Sequence, residues 1–292
     1  MHRRHEVQMD QALVDRIVGL AQEDDDIRAV ILEGSIVAGG QVDELSDYDI
    51  NVFTRDCARY LTDDRWMGQI GEVLVYQKEQ LVFYDTVMPS RLVVFRDCPR
   101  VDFSFWPAAA LHEMVQGHKQ YESYRNGYVV LVDKDGLAAQ LPPPDGEGFR
   151  ILPPSRDTFL QELYDFWFEA YCVGKYLSRG DLWYAKMVEN GYIKQHMYRM
   201  VLWHHQAARG WPRDPLLHTE GKRFERWASP ELLAEIGRCF SAYDVEGTWA
   251  SLFAMVKLFG RLARQTARQL EISYPEHKEQ QVIDYLCYLE SR

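Results

Sequence analysis

The residues with the clearest chemical potential lie in ILEGSIVAGGQVDELSDYDINVF, residues 31–53. An apolar run ends at Gly34-Ser35, eleven residues intervene, and Asp47-Tyr48-Asp49 opens a second apolar run. Side chains alternate across a strand, so Asp47 and Asp49 share one side while Tyr48 and Ile50 take the other. Two carboxylates held that close repel each other unless a cation lies between them. Hard oxygen donors suit Mg²⁺, which takes one or two carboxylates together with substrate phosphates. Gly34-Ser35 supplies the complementary half, because a glycine lets backbone approach a phosphate closely and the serine adds a hydroxyl and a backbone donor. Apart, the two pieces read as a turn glycine, a capping serine and exposed aspartates. Joined at this spacing, they point to nucleotidyl transfer from a Mg²⁺-bound triphosphate.

A third carboxylate is expected on a neighbouring strand, and VDFSFW offers Asp102. Val101, Phe103 and Phe105 form one face of that segment, and Asp102 and Ser104 form the other. An aspartate inside so apolar a strand needs a partner. A metal would serve; the plainer alternative is an edge-strand pairing with Arg100. Asp97 and Asp85 are weaker competitors for the third position, each lying near a turn or strand end.

The elements that must position these groups follow from periodicity. Residues 9–23 carry apolar positions at helical spacing, and IRAVILEG and YDINVFT read as short strands rich in β-branched residues. Strand-like runs follow at VLVYQK, QLVFYDTVM, RLVVFRD and VDFSFW, with LVFYDTVM and RLVVFRD expected to form a hairpin turning at Pro89-Ser90. Five prolines and two glycines in LPPPDGEGFRILPPS, residues 141–155, mark a boundary. Beyond it the pattern becomes helical, as in Trp249, Phe253, Val256 and Phe259. The expected fold class is α+β: a mixed sheet flanked by helices over residues 1–145, then an all-helical bundle over 146–292. Six of the eight tryptophans fall in the helical half, enough to build a core or line a cleft.

The formal charge of −11 disfavours a nucleic-acid partner. Residues 1–150 carry 26 acids against 15 bases and residues 151–292 carry 18 of each, so the whole excess lies in the first half. No segment reaches the roughly 20 apolar residues of a membrane span, and MHRRHEVQMD lacks the apolar run of a signal peptide. A cytoplasmic protein is expected. Five scattered cysteines without a CxxC pair indicate neither disulfides nor a zinc site, and the absence of a heptad seam points to a monomer.

The runs DDDIRAVILEGS…DELSDYDINVF, VDFSFWP, FLQELYDFWFEAYCVGKYLSRGDLWYAKMV and WASLFAMVKLFGRLARQTARQL…YP, in this order over nearly the whole chain, resemble the aminoglycoside 6-adenylyltransferases, also called streptomycin adenylyltransferases. The resemblance implies a DNA polymerase beta-like nucleotidyltransferase domain followed by a helical domain, with ATP and a cationic aminoglycoside bound in a cleft between them. It implies transfer of AMP to the 6-hydroxyl of streptomycin, release of pyrophosphate, and antibiotic resistance. Gly34 and Ser35 would contact the triphosphate, Asp47 and Asp49 would hold Mg²⁺, and Asp102 would be a third metal ligand or the catalytic base. The same chemistry on another small hydroxylated acceptor is the nearest rival. A non-catalytic nucleotide-binding module is the rival of another class, against which the intact carboxylate set speaks.

In the helical half, Lys175 and Arg179 lie four apart and Lys186 sits among Tyr184, Ala185, Met187 and Val188, so Lys175 and Lys186 are candidates for the triphosphate. Asp165 and Glu169, with Trp167 between them, are candidates for the antibiotic's cationic groups, although a tryptophan flanked by Phe166 and Phe168 also suits a core. Asp181 follows Gly180 and either caps a helix or bonds substrate. The nine histidines form no metal pattern, and an acidic first half would attract a polycation.

Overall fold

The computed structural model describes residues 10–38, 42–83, 86–117, 121–214, 217 and 221–292. The chain divides into two compact units, Met1–Phe149 and Arg150–Arg292.

The first unit contains α1 (Gln11–Glu23), β1 (Ile27–Glu33), β2 (Tyr48–Thr54), α2 (Arg59–Thr62), α3 (Met67–Ile70), β3 (Val73–Phe83), β4 (Thr86–Phe95), β5 (Val101–Pro107), α4 (Ala108–Val115), α5 (Glu122–Asn126) and β6 (Val129–Asp133). The six strands form one sheet in the order β3-β4-β5-β2-β1-β6. β1 and β2 pair antiparallel, whereas β2 and β5 pair in parallel, so the sheet is mixed. Strand alternation then sorts the core into two layers. Val30, Leu32, Ile50, Val52, Phe103 and Phe105 pack on Leu13 and Ile17 of α1. Ala29, Ile31, Phe53 and Trp106 pack on Leu111 and Met114 of α4. The Asp10 carboxylate caps α1 by accepting the Leu13 N–H at 3.0 Å.

The β3–β4 hairpin corrects the expected turn. Pro89-Ser90 lies inside β4, with Pro89 opposite Gln80, and β3 and β4 pair up to Phe83 opposite Thr86. Asp85 lies outside the described residues. Pro89 is tolerated because the pairing of β4 with β5 spans only Ser90 to Val93, so the missing N–H falls beyond that ladder.

The second unit is helical among its described residues: α6 (Arg156–Ser178), α7 (Leu182–Val188), a π-helical turn (Glu189–Ile193), α8 (Lys194–Ala207), α9 (Phe224–Trp227), α10 (Pro230–Gly237), α11 (Val245–Gln269) and α12 (Glu276–Glu290). Ser155 caps α6 and Asp244 caps α11 through their side chains. The apolar faces of the long α6 and α11 meet at Phe166 and Phe259, whose rings stack with centroids 3.6 Å apart. Trp167, Trp203 and Trp249 are buried in this core, whereas Trp183 is exposed. Among the described residues no helix is long and apolar enough to cross a membrane, and all five cysteines are free thiols.

Candidate active site

Strand register assembles the acids of the first unit. Glu33 ends β1 opposite Asp49 of β2, and Asp49 is in turn opposite Asp102 of β5. Three carboxylates therefore stand side by side across three central strands, on one face and at one end of the sheet. Asp47 precedes β2 by one residue, and Arg100 precedes β5 by one. The Tyr48 N–H donates to the Arg100 carbonyl at 2.9 Å, which ties these two entry points together.

Arg100 is the cation of this cluster. Its guanidinium donates to both oxygens of Asp102, Nε to Oδ1 at 2.7 Å and Nη2 to Oδ2 at 2.5 Å, and Nη1 lies 3.7 Å from Oδ2 of Asp47. The sequence alternative for Asp102 is thus realised in part: the arginine partner is Arg100, but β5 is flanked by β4 and β2 and is no edge strand. A carboxylate offers about four lone-pair sites, so two bonds to Arg100 leave Asp102 acceptor capacity.

Among the described residues, the one positive charge of Arg100 does not balance four acids. Burial, followed by repulsion from Glu33, Asp102 and Asp47, pushes the Asp49 carboxyl up to about 7. Asp102 is also raised by burial, with Arg100 opposing the shift. Burial raises Glu33 as well, although the Tyr121 hydroxyl donates to its Oε1 at 3.0 Å. Behind this row, Trp106 Nε1 donates to Asn51 Oδ1 at 2.8 Å and Asn51 Nδ2 donates to the Tyr124 hydroxyl at 3.1 Å, which fixes the next rung of the sheet.

Gly34 adopts φ +80, and a Cβ placed there would lie 1.9 Å from Oδ2 of Asp49. A glycine is required for both reasons. The Val37 and Ala38 amides close a turn on the Gly34 carbonyl, leaving Ser35 exposed at its outer side. Gly34→Ala is expected to cost at least about 1 to 2 kcal/mol in backbone strain, seen as a lower melting temperature of the full chain; an unchanged melting temperature contradicts the close approach.

The donor chemistry fits a hard divalent cation: carboxylate oxygens, excess negative charge, and an Asp49 carboxyl whose ionised form needs a positive partner. Among the described residues no three His, Cys, Asp or Glu side chains converge as a ready cage. The fit is therefore to an ion held by one or two carboxylates and completed by phosphate oxygens.

The candidates of the second unit do not form a single cluster: Asp165 and Trp167 line one groove and Asp181 lines another cavity. Lys186 is mostly buried and forms an ion pair with Glu189, whose side chain is fully buried in the π-helical turn. Its ammonium also donates to the Ser241 hydroxyl at 2.9 Å and carbonyl at 3.2 Å. The anion beside it is thus a carboxylate of the same unit. Lys175 lies 4.9 Å over the Tyr176 ring, and Arg179 follows the last turn of α6. Trp167 is 4% exposed and packs edge-on against Tyr164 and Tyr274, so it belongs to the core. Asp165 accepts from Gln161 at 2.7 Å, beside a groove to which Lys278 also contributes. The Glu169 carboxyl is raised by burial. Asp181 occupies the N-terminal position of α7 without a side-chain capping bond.

Glu33 is a member of the acid row that strand alternation alone does not single out. The available signal was an acid closing IRAVILE, a segment apolar enough to be buried on both faces.

Residues 7–289 match the family described as Streptomycin adenylyltransferase. An aminoglycoside 6-adenylyltransferase of Bacillus subtilis (strain 168) is 25% identical over 279 residues, covering 92% of this chain and 94% of that protein. One from Campylobacter jejuni is 26% identical, covering 92% of each. A crystal structure of an aminoglycoside 6-adenyltransferase from Bacillus subtilis superposes with a TM-score of 0.47 at 22% identity, over 98% of this chain and 100% of that one. With nearly its entire length matched, the chain belongs to the streptomycin adenylyltransferase family.

Proposed function

We propose that the chain transfers AMP from ATP to a hydroxyl of an aminoglycoside, with the 6-hydroxyl of streptomycin as acceptor and antibiotic resistance as the outcome. The observation that carries this reading is the row Glu33, Asp49 and Asp102, with Asp47 beside it and Gly34 pressed against Asp49. An acid cluster this repulsive is costly to a fold and is explained by a cationic cofactor.

In this reading Gly34 presents backbone to the triphosphate, and the Ser35 hydroxyl adds a donor. Asp47 and Asp49 hold Mg²⁺, and Asp102 either completes that set or takes the proton of the attacking hydroxyl. When bound, the metal supplies Lewis-acid activation at phosphorus and charge neutralisation of the departing pyrophosphate. Glu33 stands beside Asp49 on the neighbouring strand, adds to the negative field that a cation would neutralise, and is itself anchored by Tyr121. Arg100 acts as the internal counter-ion of Asp102 and Asp47. The chain acts as a monomer in the cytoplasm, where ATP is available.

The test is incubation of the purified protein with Mg²⁺, ATP and a panel of aminoglycosides, followed by mass spectrometry. Streptomycin gaining the mass of one AMP unit is the expected result. No adduct and no pyrophosphate with any aminoglycoside, while ATP still binds, would overturn it.

A further inference from the structure

Where the second unit meets a cationic acceptor is answered by a different set of residues from Asp165, Trp167 and Glu169. A cavity of about 560 Å³ opens where α6 turns into α7, walled by Tyr176, Trp183, Tyr184 and Tyr243, with Asp181 among them. Trp183 is 72% exposed, and its ring centroid lies 6.3 Å from that of Tyr243, which is also exposed. Tyr176 and Tyr184 meet edge-on at 4.4 Å. The Lys175 ammonium already covers the Tyr176 ring, so Trp183 and Tyr243 are the open pair.

The cup is held in shape from behind. The Asp181 N–H donates to the Tyr176 carbonyl at 2.9 Å, closing the turn between α6 and α7. Lys186, paired with Glu189, grips Ser241 and so fastens the segment carrying Tyr243 to α7. The buried ion pair thereby acquires a structural task. Asp181 has no side-chain capping bond to make, and its exposed carboxylate shares the cup with the open rings.

We propose that this cup binds a guanidinium group of the acceptor. A planar guanidinium stacks on an indole face and pairs with a carboxylate through two parallel N–H donors. The groove that Asp165 lines has exposed rings of its own in Tyr164, Phe168 and Tyr285, but its carboxylate is engaged by Gln161, whereas Asp181 makes no capping bond. The proposal rests on the aminoglycoside reading given above and adds the site of cation recognition to it.

Trp183→Ala and Asp181→Asn are surface changes and leave the core untouched. Each is expected to raise the KM for streptomycin about tenfold, to leave the KM for ATP unaltered, and to weaken streptomycin binding measured calorimetrically without nucleotide by a similar factor. Trp183→Phe retains a ring and is expected to recover part of the loss. Wild-type values for both variants in both measurements overturn the proposal, as does absence of streptomycin binding to the wild type. A wild-type protein that binds streptomycin through this cup but adenylylates no aminoglycoside upholds the cup and overturns the activity.

Discussion

Asp49→Asn is expected to lower adenylyl transfer by about 10² to 10⁴ or more while leaving the protein folded and, near and above pH 7, more stable than the wild type. Both halves come from one arrangement. Asp49 is the middle member of the acid row, with Glu33 on one side and Asp102 on the other. Its ionised form is the one that would bind a cation, and it is also the one the apo fold disfavours. Its carboxyl is pushed up to about 7 from an ordinary value near 3.8. Each unit of such a shift corresponds to about 1.4 kcal/mol, so the ionised Asp49 withholds on the order of 4 kcal/mol from the apo protein.

The sign follows from proton linkage. The folded state binds the Asp49 proton more tightly than the unfolded chain, so its stabilisation is complete below about pH 4. It is lost progressively as pH rises through about 7 and stays lost above that. An asparagine cannot ionise, which removes this slope. Melting temperatures in EDTA from pH 5 to 9 should fall for the wild type relative to Asp49→Asn. Near-normal turnover by the variant would sink the catalytic assignment, and parallel pH profiles would sink the electrostatic one.

Lys186→Met is expected to destabilise the second unit by about 3 to 5 kcal/mol, which lowers the melting temperature by roughly 10 °C. Glu189 is fully buried, and the Ser251 and Ser241 hydroxyls donate to its Oε1. These neutral donors do not replace the charge of Lys186. Removing the lysine alone leaves a buried carboxylate without its ion-pair partner, whereas removing both charges does not. Lys186→Met combined with Glu189→Gln should therefore recover most of the lost stability. The double variant also separates two roles for Lys186. An unaltered KM for ATP assigns it to the fold, and a raised KM in a stable protein assigns it to the triphosphate as well. A single Lys186→Met variant that melts like the wild type would refute the buried-pair account.

Much of the first unit was legible from periodicity. β-branched runs marked β1 and β2, and alternation placed Asp47 with Asp49 and put Asp102 opposite its apolar neighbours. What period two does not contain is which rung of one strand faces which rung of the next. Glu33 escaped notice for that reason, since its meaning depends on standing opposite Asp49. Arg100 was visible as a partner for Asp102, yet its reach toward Asp47 depends on the parallel pairing of β2 with β5. The hairpin turn was misplaced because Pro89-Ser90 is a strong local turn signal, and tertiary pairing of β3 with β4 overrode it.

In the second unit, helical spacing identified the bundle but not the environment of single side chains. Trp167 and Trp183 are the same residue type 16 positions apart; one is core and the other is exposed. Lys186 reads from its sequence as a triphosphate candidate, and the anion beside it in this unit is Glu189, three residues later. An i, i+3 pair is readable in principle, but burial of Glu189 arises from the π-helical turn, which has no reliable local signature.

The acid row has a consequence for how this chain can diverge. The lateral spacing of Glu33, Asp49 and Asp102 is set by adjacent strands, which backbone hydrogen bonds hold about 4.8 Å apart in any sheet. Distances stored in the backbone do not depend on neighbouring side chains. Substitutions across the β3–β4 hairpin and length changes in the segments between strands can therefore accumulate while the acid row keeps its dimensions. A change to the register of these three strands, by contrast, would separate the acids from one another and from Gly34.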